Sequence, residues 1–90
     1  MNTRFRKSFE RDLKKLRNDR QTLGRIRSAI LVVEEANSLD NVPGLKRLTG
    51  GSGDYCRIRV GDYRVGIELV GDVVVFTRCL HRREVYRYFP

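Results

Sequence analysis

Three arginines alternate with apolar residues in the segment 55–65, at Arg57, Arg59 and Arg64. A period of two is typical of β-strands, and Gly61-Asp62 between the two alternating runs is typical of a two-residue hairpin turn. That turn sets Arg59 opposite Arg64, where like charges destabilise the strand pair by an amount on the order of 0.2–1 kcal/mol. A guanidinium is a planar donor that can bind phosphate oxygens in pairs. We therefore predict that this face of the hairpin binds a polyanion.

His81 is the single histidine of the chain and follows the last predicted strand. Arginine stays charged at neutral pH, so His81 is the candidate for proton transfer. Carried through a second turn at residues 71–72, the register sets Arg64 opposite Cys79 and places His81 on the arginine face. A β-bulge would shift this parity by one residue and bring Arg78 to the face instead of Cys79, which keeps Arg78 as a reserve member of the site. The alternative for His81 is a purely structural role.

The two cysteines are predicted to be free thiols. The same register turns Cys56 towards the core and Cys79 away from it, so a disulfide between them is not expected. Two cysteines and one histidine do not make a zinc-ligand set. We expect no metal and no small-molecule cofactor.

The chain ends in a basic and aromatic segment, residues 81–90. Val85 and Phe89 are spaced to pack on the core. Aromatic rings beside arginines suit unstacked RNA bases, since stacking is worth roughly 1–3 kcal/mol per base. Tyr86 is the candidate for such stacking, whereas Tyr88 fits equally well as a residue that closes the core.

Size and charge favour one small basic domain that spans residues 1–90. The chain has 90 residues, of which 40% are hydrophobic and 33% charged, with 19 Lys and Arg against 11 Asp and Glu, a net charge of +8 and a pI of about 10.2. Such a balance attracts anionic partners, with nucleic acid first among them; a merely soluble basic protein is the alternative. The longest apolar run, residues 29–33, is far shorter than the roughly 20 residues that cross a bilayer. We expect a cytoplasmic protein without membrane contact.

The remaining patterns predict an α+β fold. A short extended segment precedes a helix that begins at Ser8 as N-cap, and a second helical stripe runs to about Ala36. Residues 38–53 contain the turn-forming pairs of a connector. Strands follow from Asp54, and the continuous apolar run from Val73 favours a strand in the interior of the sheet.

These residues resemble the RelE/ParE superfamily of bacterial toxin–antitoxin systems over nearly the whole chain. The resemblance is carried by Leu48-Thr49-Gly50, by the arginine hairpin of residues 55–64, by the segment 81–86, and by Phe9 with residues 12–16 in the first helix. It implies two N-terminal helices packed on a mainly antiparallel twisted sheet, in the order βααβββ with a short C-terminal helix or tail.

The resemblance is stronger to RelE-type members, which cut mRNA on the ribosome without metal by using the 2′-hydroxyl of the RNA. It implies that the protein is the toxin component of such a system, with a cognate antitoxin, the ribosome and mRNA as partners. The implied catalytic residues are Arg59, Arg64, His81, Arg82 and Tyr86, and the implied RNA-binding residues are Arg57, Arg83, Lys46 and Arg47. A ParE-like inhibitor of DNA gyrase and an inactive homologue that binds nucleic acid or antitoxin are the alternatives. Whether Arg82 or Arg83 enters the site, and which group acts as base, stays open.

Overall fold

A computed structural model describes residues 1–49 and 53–90 as three helices around one five-stranded sheet. In chain order the elements are β1 (Asn2–Phe5), α1 (Lys7–Lys15), α2 (Arg20–Glu35), a 3-10 turn (Leu39–Asn41), β2 (Leu45–Arg47), β3 (Asp54–Val60), β4 (Tyr63–Val70), β5 (Val73–His81) and α3 (Val85–Tyr88). The strand order is β1-β5-β4-β3-β2, and every pair is antiparallel except β1 with β5. The predicted α+β class is confirmed. Across the described ranges, no helix is long and apolar enough to cross a membrane.

The helices differ from expectation at one boundary. Ser8 is not the N-cap of α1, which begins at Lys7 after Arg6. The Ser8 hydroxyl instead donates to the carbonyl of Thr77 at 2.6 Å, so it joins α1 to β5. The second helix begins with Asp19 as N-cap, whose carboxylate accepts the Thr22 amide, and it ends next to Ala36 as predicted.

The main core lies between the two long helices and one face of the sheet, which we call the helix face. The fully buried side chains of this layer come from both sides: Phe9, Ile26, Val33, Cys56, Ile58, Val65, Ile67, Val74 and Phe76. Every second residue of β3 belongs to it, so the predicted alternation of that strand is confirmed. The arginines between these residues must therefore point to the opposite face.

The opposite face is covered in its middle by α3. Val85 and Phe89 form a second small core with Leu80, as the sequence predicted for the two C-terminal residues. A Cβ at Gly66 would lie only 2.7 Å from the Phe89 ring, so this strand position requires glycine for α3 to lie against the sheet.

The segment between α2 and β3 was predicted as connector, and this is wrong in part. Residues Leu45–Arg47 form β2, which pairs with β3 so that Lys46 lies opposite Arg57. A three-residue strand at a sheet edge leaves too short a pattern to be recognised in the sequence. The predicted turn at residues 50–52 lies outside the described residues.

A β-bulge between Gly66 and Ile67 changes the register of β4 with β5. Arg64 lies opposite Leu80, not Cys79, and Cys79 faces the core, where it is buried. The prediction that Cys79 points away from the core is therefore wrong, because the bulge inserts one residue into β5. Both cysteines are free thiols, as predicted. β5 lies between β1 and β4, which confirms an interior strand.

Candidate functional site

The neighbouring strands β2, β3 and β4 place four cations on one face of the sheet. Arg59 lies opposite Arg64 across the predicted two-residue turn, and Lys46 of β2 lies opposite Arg57. Residues that are paired across strands share a face, and alternate residues of one strand do so as well. Lys46, Arg57, Arg59 and Arg64 therefore lie on the face opposite the main core, and we call this set the arginine face.

Tyr86 of α3 lies against this set. The guanidinium carbon of Arg57 is 4.6 Å from the centroid of the Tyr86 ring, within the range of a cation–π contact. A hydrogen bond with Arg57 lowers the pKa of the Tyr86 phenol, and the charges of Arg57, Lys46 and Arg64 lower this pKa further. The ring is 79% exposed, so it can meet a large ligand. The structure thus brings a phenol of lowered pKa and several cations together.

Arg64 is fixed by the turn that precedes it. Its Nη1 donates to the carbonyl oxygens of Gly61 and Tyr63, both at 2.9 Å, and these bonds hold the guanidinium beside the turn. Arg59 is exposed. Among the described residues, neither these two arginines nor Arg57 forms an ion pair with a carboxylate. Their charge is therefore available to an anionic ligand.

Arg82 and Arg83 follow β5 and differ in their surroundings. The Arg82 amide donates to the carbonyl of Asp62 at 2.8 Å, and its Nε lies 4.0 Å from the Asp62 carboxylate. Arg82 is thereby held at the same turn as Arg64. The Arg83 amide donates to the Nδ1 atom of His81 at 3.2 Å, and the Arg83 side chain is exposed. Of the two, Arg82 is the one whose backbone is tied to the turn of the arginine face.

His81 does not lie on the arginine face, so its predicted placement there is wrong. The bulge sets it opposite Tyr63, which belongs to the helix face, and the two rings meet edge to face with centroids 5.4 Å apart. The His81 ring lines a cavity of about 400 Å³ between the hairpin turn and the start of α2. Since Nδ1 accepts a hydrogen bond, the proton of the neutral ring is on Nε2.

Two further predicted cations lie outside the set. Arg47 lies opposite Cys56, which puts it on the helix face, and its guanidinium is 3.5 Å from the carboxylate of Asp40. Arg78, the reserve member, replaces Cys79 on the arginine-face side of β5, opposite Gly66, as predicted for a bulge. Its guanidinium, however, reaches α1, where Nε and Nη2 donate to Asp12 at 2.8 and 3.2 Å. The Asp12 hydrogen bond raises the pKa of Arg78. Both arginines have carboxylate partners that compete with a polyanion.

Asp12 is the structurally important residue that the sequence analysis did not single out. It lies on the apolar stripe of α1, one position before Leu13, and is only 5% exposed. A carboxylate within a buried i, i+3, i+4 stripe requires a partner, because an unpaired buried charge is very costly. The presence of Asp12 in this apolar stripe is the sequence signal that could have identified it. In the described ranges, no group of three or more His, Cys, Asp and Glu side chains is placed to hold a metal ion.

Structural comparison places this fold among toxins. The chain superposes with a TM-score of 0.78 on the toxin-antitoxin crystal structure of RelB-RelE from Methanococcus jannaschii, at 40% identity, covering 97% of this chain and 99% of the other. YafQ from E. coli strain BL21(DE3) matches with a TM-score of 0.74 over 94% of this chain and 97% of its own, at 15% identity, a level that supports the fold alone.

Sequence comparison identifies the family. A family model described as the ParE toxin of type II toxin-antitoxin systems, parDE, matches residues 3–86. Toxin RelE3 of Methanocaldococcus jannaschii is 42% identical over 94 aligned positions that cover 100% of both chains. The chain therefore belongs to the ParE toxin family, within the RelE/ParE superfamily. The resemblance inferred from the sequence motifs is confirmed.

Proposed function

We propose that the protein is a ribosome-dependent endoribonuclease that cuts mRNA through attack of a 2′-hydroxyl on the neighbouring phosphate, without a metal cofactor. The observation that carries this proposal is the arginine face, where three arginines that have no carboxylate partner in the described part of the chain lie beside an exposed tyrosine. The likeness to a relative named as a RelE toxin supports the RNA-cleaving class. A cytoplasmic location, where ribosomes are found, is part of the proposal.

Arg59 and Arg64 stabilise the transition state. In-line attack builds negative charge on the phosphoryl oxygens, and donors fixed in advance stabilise such charge without further reorganisation. The two backbone hydrogen bonds of Arg64 provide this fixation. Arg57 and Lys46, paired on the adjoining row of the sheet, bind the next phosphate of the strand. Exposed Arg83 contributes charge at the edge of the bound RNA.

Tyr86 takes the proton of the 2′-hydroxyl. Arg57 lowers the pKa of the phenol, so a larger fraction of the base form exists near neutral pH than in an ordinary tyrosine. The bond from the 2′-oxygen to phosphorus forms, the bond from phosphorus to the 5′-oxygen breaks, and the leaving oxygen takes a proton from water while Arg82 stabilises its charge. The products carry a 2′,3′-cyclic phosphate and a 5′-hydroxyl. The ring can also stack on a base beside the cut.

His81 acts on this site from the other face of the sheet. Its ring accepts the Arg83 amide and packs against Tyr63, so it holds the loop that carries Arg82 and Arg83. We therefore assign it a positioning role in catalysis, in place of direct proton transfer.

The test is cleavage of mRNA in the decoding site of purified ribosomes. One mRNA is all-ribose and a matched one has a single 2′-deoxynucleotide on the 5′ side of the cut. We expect the first to be cut to a cyclic phosphate and a 5′-hydroxyl, and the second to stay intact. Arg64→Gln should be inactive, while Arg6→Gln, which changes an arginine paired with Glu68 at 3.2 Å, should cut normally. Equal cleavage of both mRNAs would reject the 2′-hydroxyl mechanism.

The matching family model favours one alternative, inhibition of DNA gyrase. A supercoiling assay at doses that stop translation separates the two activities, because a gyrase inhibitor would block supercoiling and leave ribosome-bound mRNA intact. An inactive homologue would leave bacterial growth unchanged when the protein is expressed.

A cognate antitoxin completes the proposal. The RelB-RelE and E. coli DinJ-YafQ proteins were crystallised as complexes, the latter with a toxin of the same fold at a TM-score of 0.74. An acidic segment fits the arginine face by charge and would compete with mRNA. Competition between purified antitoxin and a short RNA for this face would test it.

A further inference from the structure

Asp12 joins α1 to the end of β5, next to the candidate site. Its Oδ2 accepts Arg78 Nε and the Cys79 amide, both at 2.8 Å, and its Oδ1 accepts Arg78 Nη2 at 3.2 Å. β1 accompanies β5 only as far as Phe76, so the end of β5 lacks a strand neighbour on this side within the described residues. Asp12 of α1 replaces that neighbour and at the same time fixes the plane of the Arg78 guanidinium.

Arg78 carries this contact to α3. Its guanidinium carbon lies 5.8 Å from the ring centroid of Tyr88, and Asp12 is the only carboxylate to which it donates among residues 1–49 and 53–90. Because α3 has four residues, too few for a stable helix in isolation, its place depends on tertiary contacts. Val85 and Phe89 hold its inner side, and Tyr88 holds the side towards Arg78.

The same short helix carries Tyr86, two residues before Tyr88. Tyr86 is highly exposed, and its ring contacts Arg57 on the arginine face. Because Tyr86 is 79% exposed, its position over Arg57 depends on where α3 lies. A small rotation of α3 would separate the two groups.

We propose that Asp12 is a positioning residue: through Arg78 and the Tyr88 ring it sets the place of α3 and thereby keeps Tyr86 over Arg57. This inference rests on the proposed ribonuclease function for its kinetic consequence. Within residues 1–49 and 53–90, Asp12 and Arg78 form no hydrogen bond or ion pair with a member of the arginine face. A purely structural ion pair would affect the free energy of unfolding alone, because loss of one partner leaves the other charge uncompensated without moving α3.

The test compares variants of the residues that connect Asp12 through Arg78 to Tyr88. Tyr88→Leu removes the ring at a half-exposed position, and Asp12→Asn keeps an acceptor for the Cys79 amide but removes the charge that holds Arg78. Tyr88→Phe keeps the ring and is the conservative rescue. Arg6→Met is the matched control, because it breaks an ion pair on the same sheet, with Glu68, that does not lead to α3.

Two measurements are made on folded protein. The first is the titration of the Tyr86 phenol, followed by NMR of ¹³C-labelled tyrosine and assigned with Tyr86→Phe. The second is cleavage on ribosomes, resolved into the rate constant and the ribosome concentration at half saturation. For Tyr88→Leu and Asp12→Asn we expect the Tyr86 midpoint to rise towards that of an ordinary tyrosine and the rate constant to fall about tenfold, with half saturation within about twofold of the unchanged protein.

Tyr88→Phe and Arg6→Met should match the unchanged protein in both measurements. An unchanged Tyr86 midpoint in both Tyr88→Leu and Asp12→Asn would overturn the inference, whatever happens to stability. Absence of cleavage by the unchanged protein would count against the proposed function alone, since the phenol titration needs neither RNA nor ribosome and still decides the positioning role.

Discussion

Two sets of arginines lie on the same small sheet, and they differ in one respect. Arg6, Arg47 and Arg78 each have a carboxylate oxygen within 3.5 Å. The arginines of the arginine face have none among the described residues, although Arg59 and Arg64 lie directly opposite each other. A fold that pairs some cations and leaves others to repel one another sacrifices stability where a ligand can use the charge. The presence or absence of a carboxylate partner therefore distinguishes the structural arginines from the candidate functional ones.

The largest expected effect is on the paired set. Asp12→Ala leaves the Arg78 guanidinium and the Cys79 amide without their acceptor. Loss of one partner of a buried pair costs about 3–5 kcal/mol, and since Arg78 keeps 28% of its side-chain surface in water we expect the lower end of that range. Urea denaturation measures the change in the free energy of unfolding. A loss no larger than that of Arg6→Ala would show that the pair is not special.

The unpaired set should respond in the opposite way. Arg59→Gln and Arg64→Gln should each slow mRNA cleavage on ribosomes about 10²–10³-fold, the usual effect of removing one donor to a transition-state oxyanion. Each should also raise the free energy of unfolding slightly, by roughly 0.2–1 kcal/mol, because the cross-strand repulsion is relieved. Activity and stability measured on the same preparations test both signs. Destabilisation by both variants would mean that these arginines hold the fold and would remove the contrast between the two sets.

The contrast also separates what the sequence could reveal from what it could not. Arg59 opposite Arg64 was predictable, because the two-residue turn at Gly61-Asp62 fixes the register from local signals alone. The position of His81 was not, because the extra residue of the bulge is Thr77 in β5, opposite the step from Gly66 to Ile67, and no residue type marks a bulge there unambiguously. One inserted residue moved His81 to the helix face.

Contacts between segments that are far apart in the chain could likewise not be predicted from the sequence. The partnership of Asp12 with Arg78 spans 66 residues, and the polar residue in the helical stripe signals only that some partner exists. β2 was missed because three residues do not establish a period. The contact of Tyr86 with Arg57 depends on α3, whose place is set by tertiary packing instead of local propensity.

The pH dependence of mRNA cleavage tests whether the charge of the arginine face activates Tyr86. The pKa of its phenol is lowered by Arg57, so the fraction of phenolate rises with pH and approaches saturation earlier than in an ordinary tyrosine. If the phenolate is the base, the cleavage rate should rise with pH and level off at the lowered pKa. Tyr86→Phe should cut about tenfold more slowly at pH 7, a small loss for a missing general base, because little phenolate is present at that pH. The cleavage rate of this variant should be independent of pH.

Arg57→Gln sharpens this test because it removes the main cause of the lowered pKa. Its pH profile should shift to higher pH, whereas a ring that only stacks on a base would give flat profiles in all three proteins. A Tyr86→Phe protein with full activity would assign Tyr86 to stacking.

The smallest expected effect is on ribosome binding, in a comparison of the neighbouring residues Lys46 and Arg47. Lys46 lies opposite Arg57 on the arginine face, and Arg47 lies opposite Cys56 on the helix face, next to Asp40. Lys46→Gln should weaken ribosome binding about threefold and reduce the slope of log affinity against log salt by about one, as loss of one phosphate contact does. Arg47→Gln should leave both unchanged, since an exposed ion pair contributes little. Equal salt slopes for the two variants would show that net charge, and not the face on which a cation lies, determines binding.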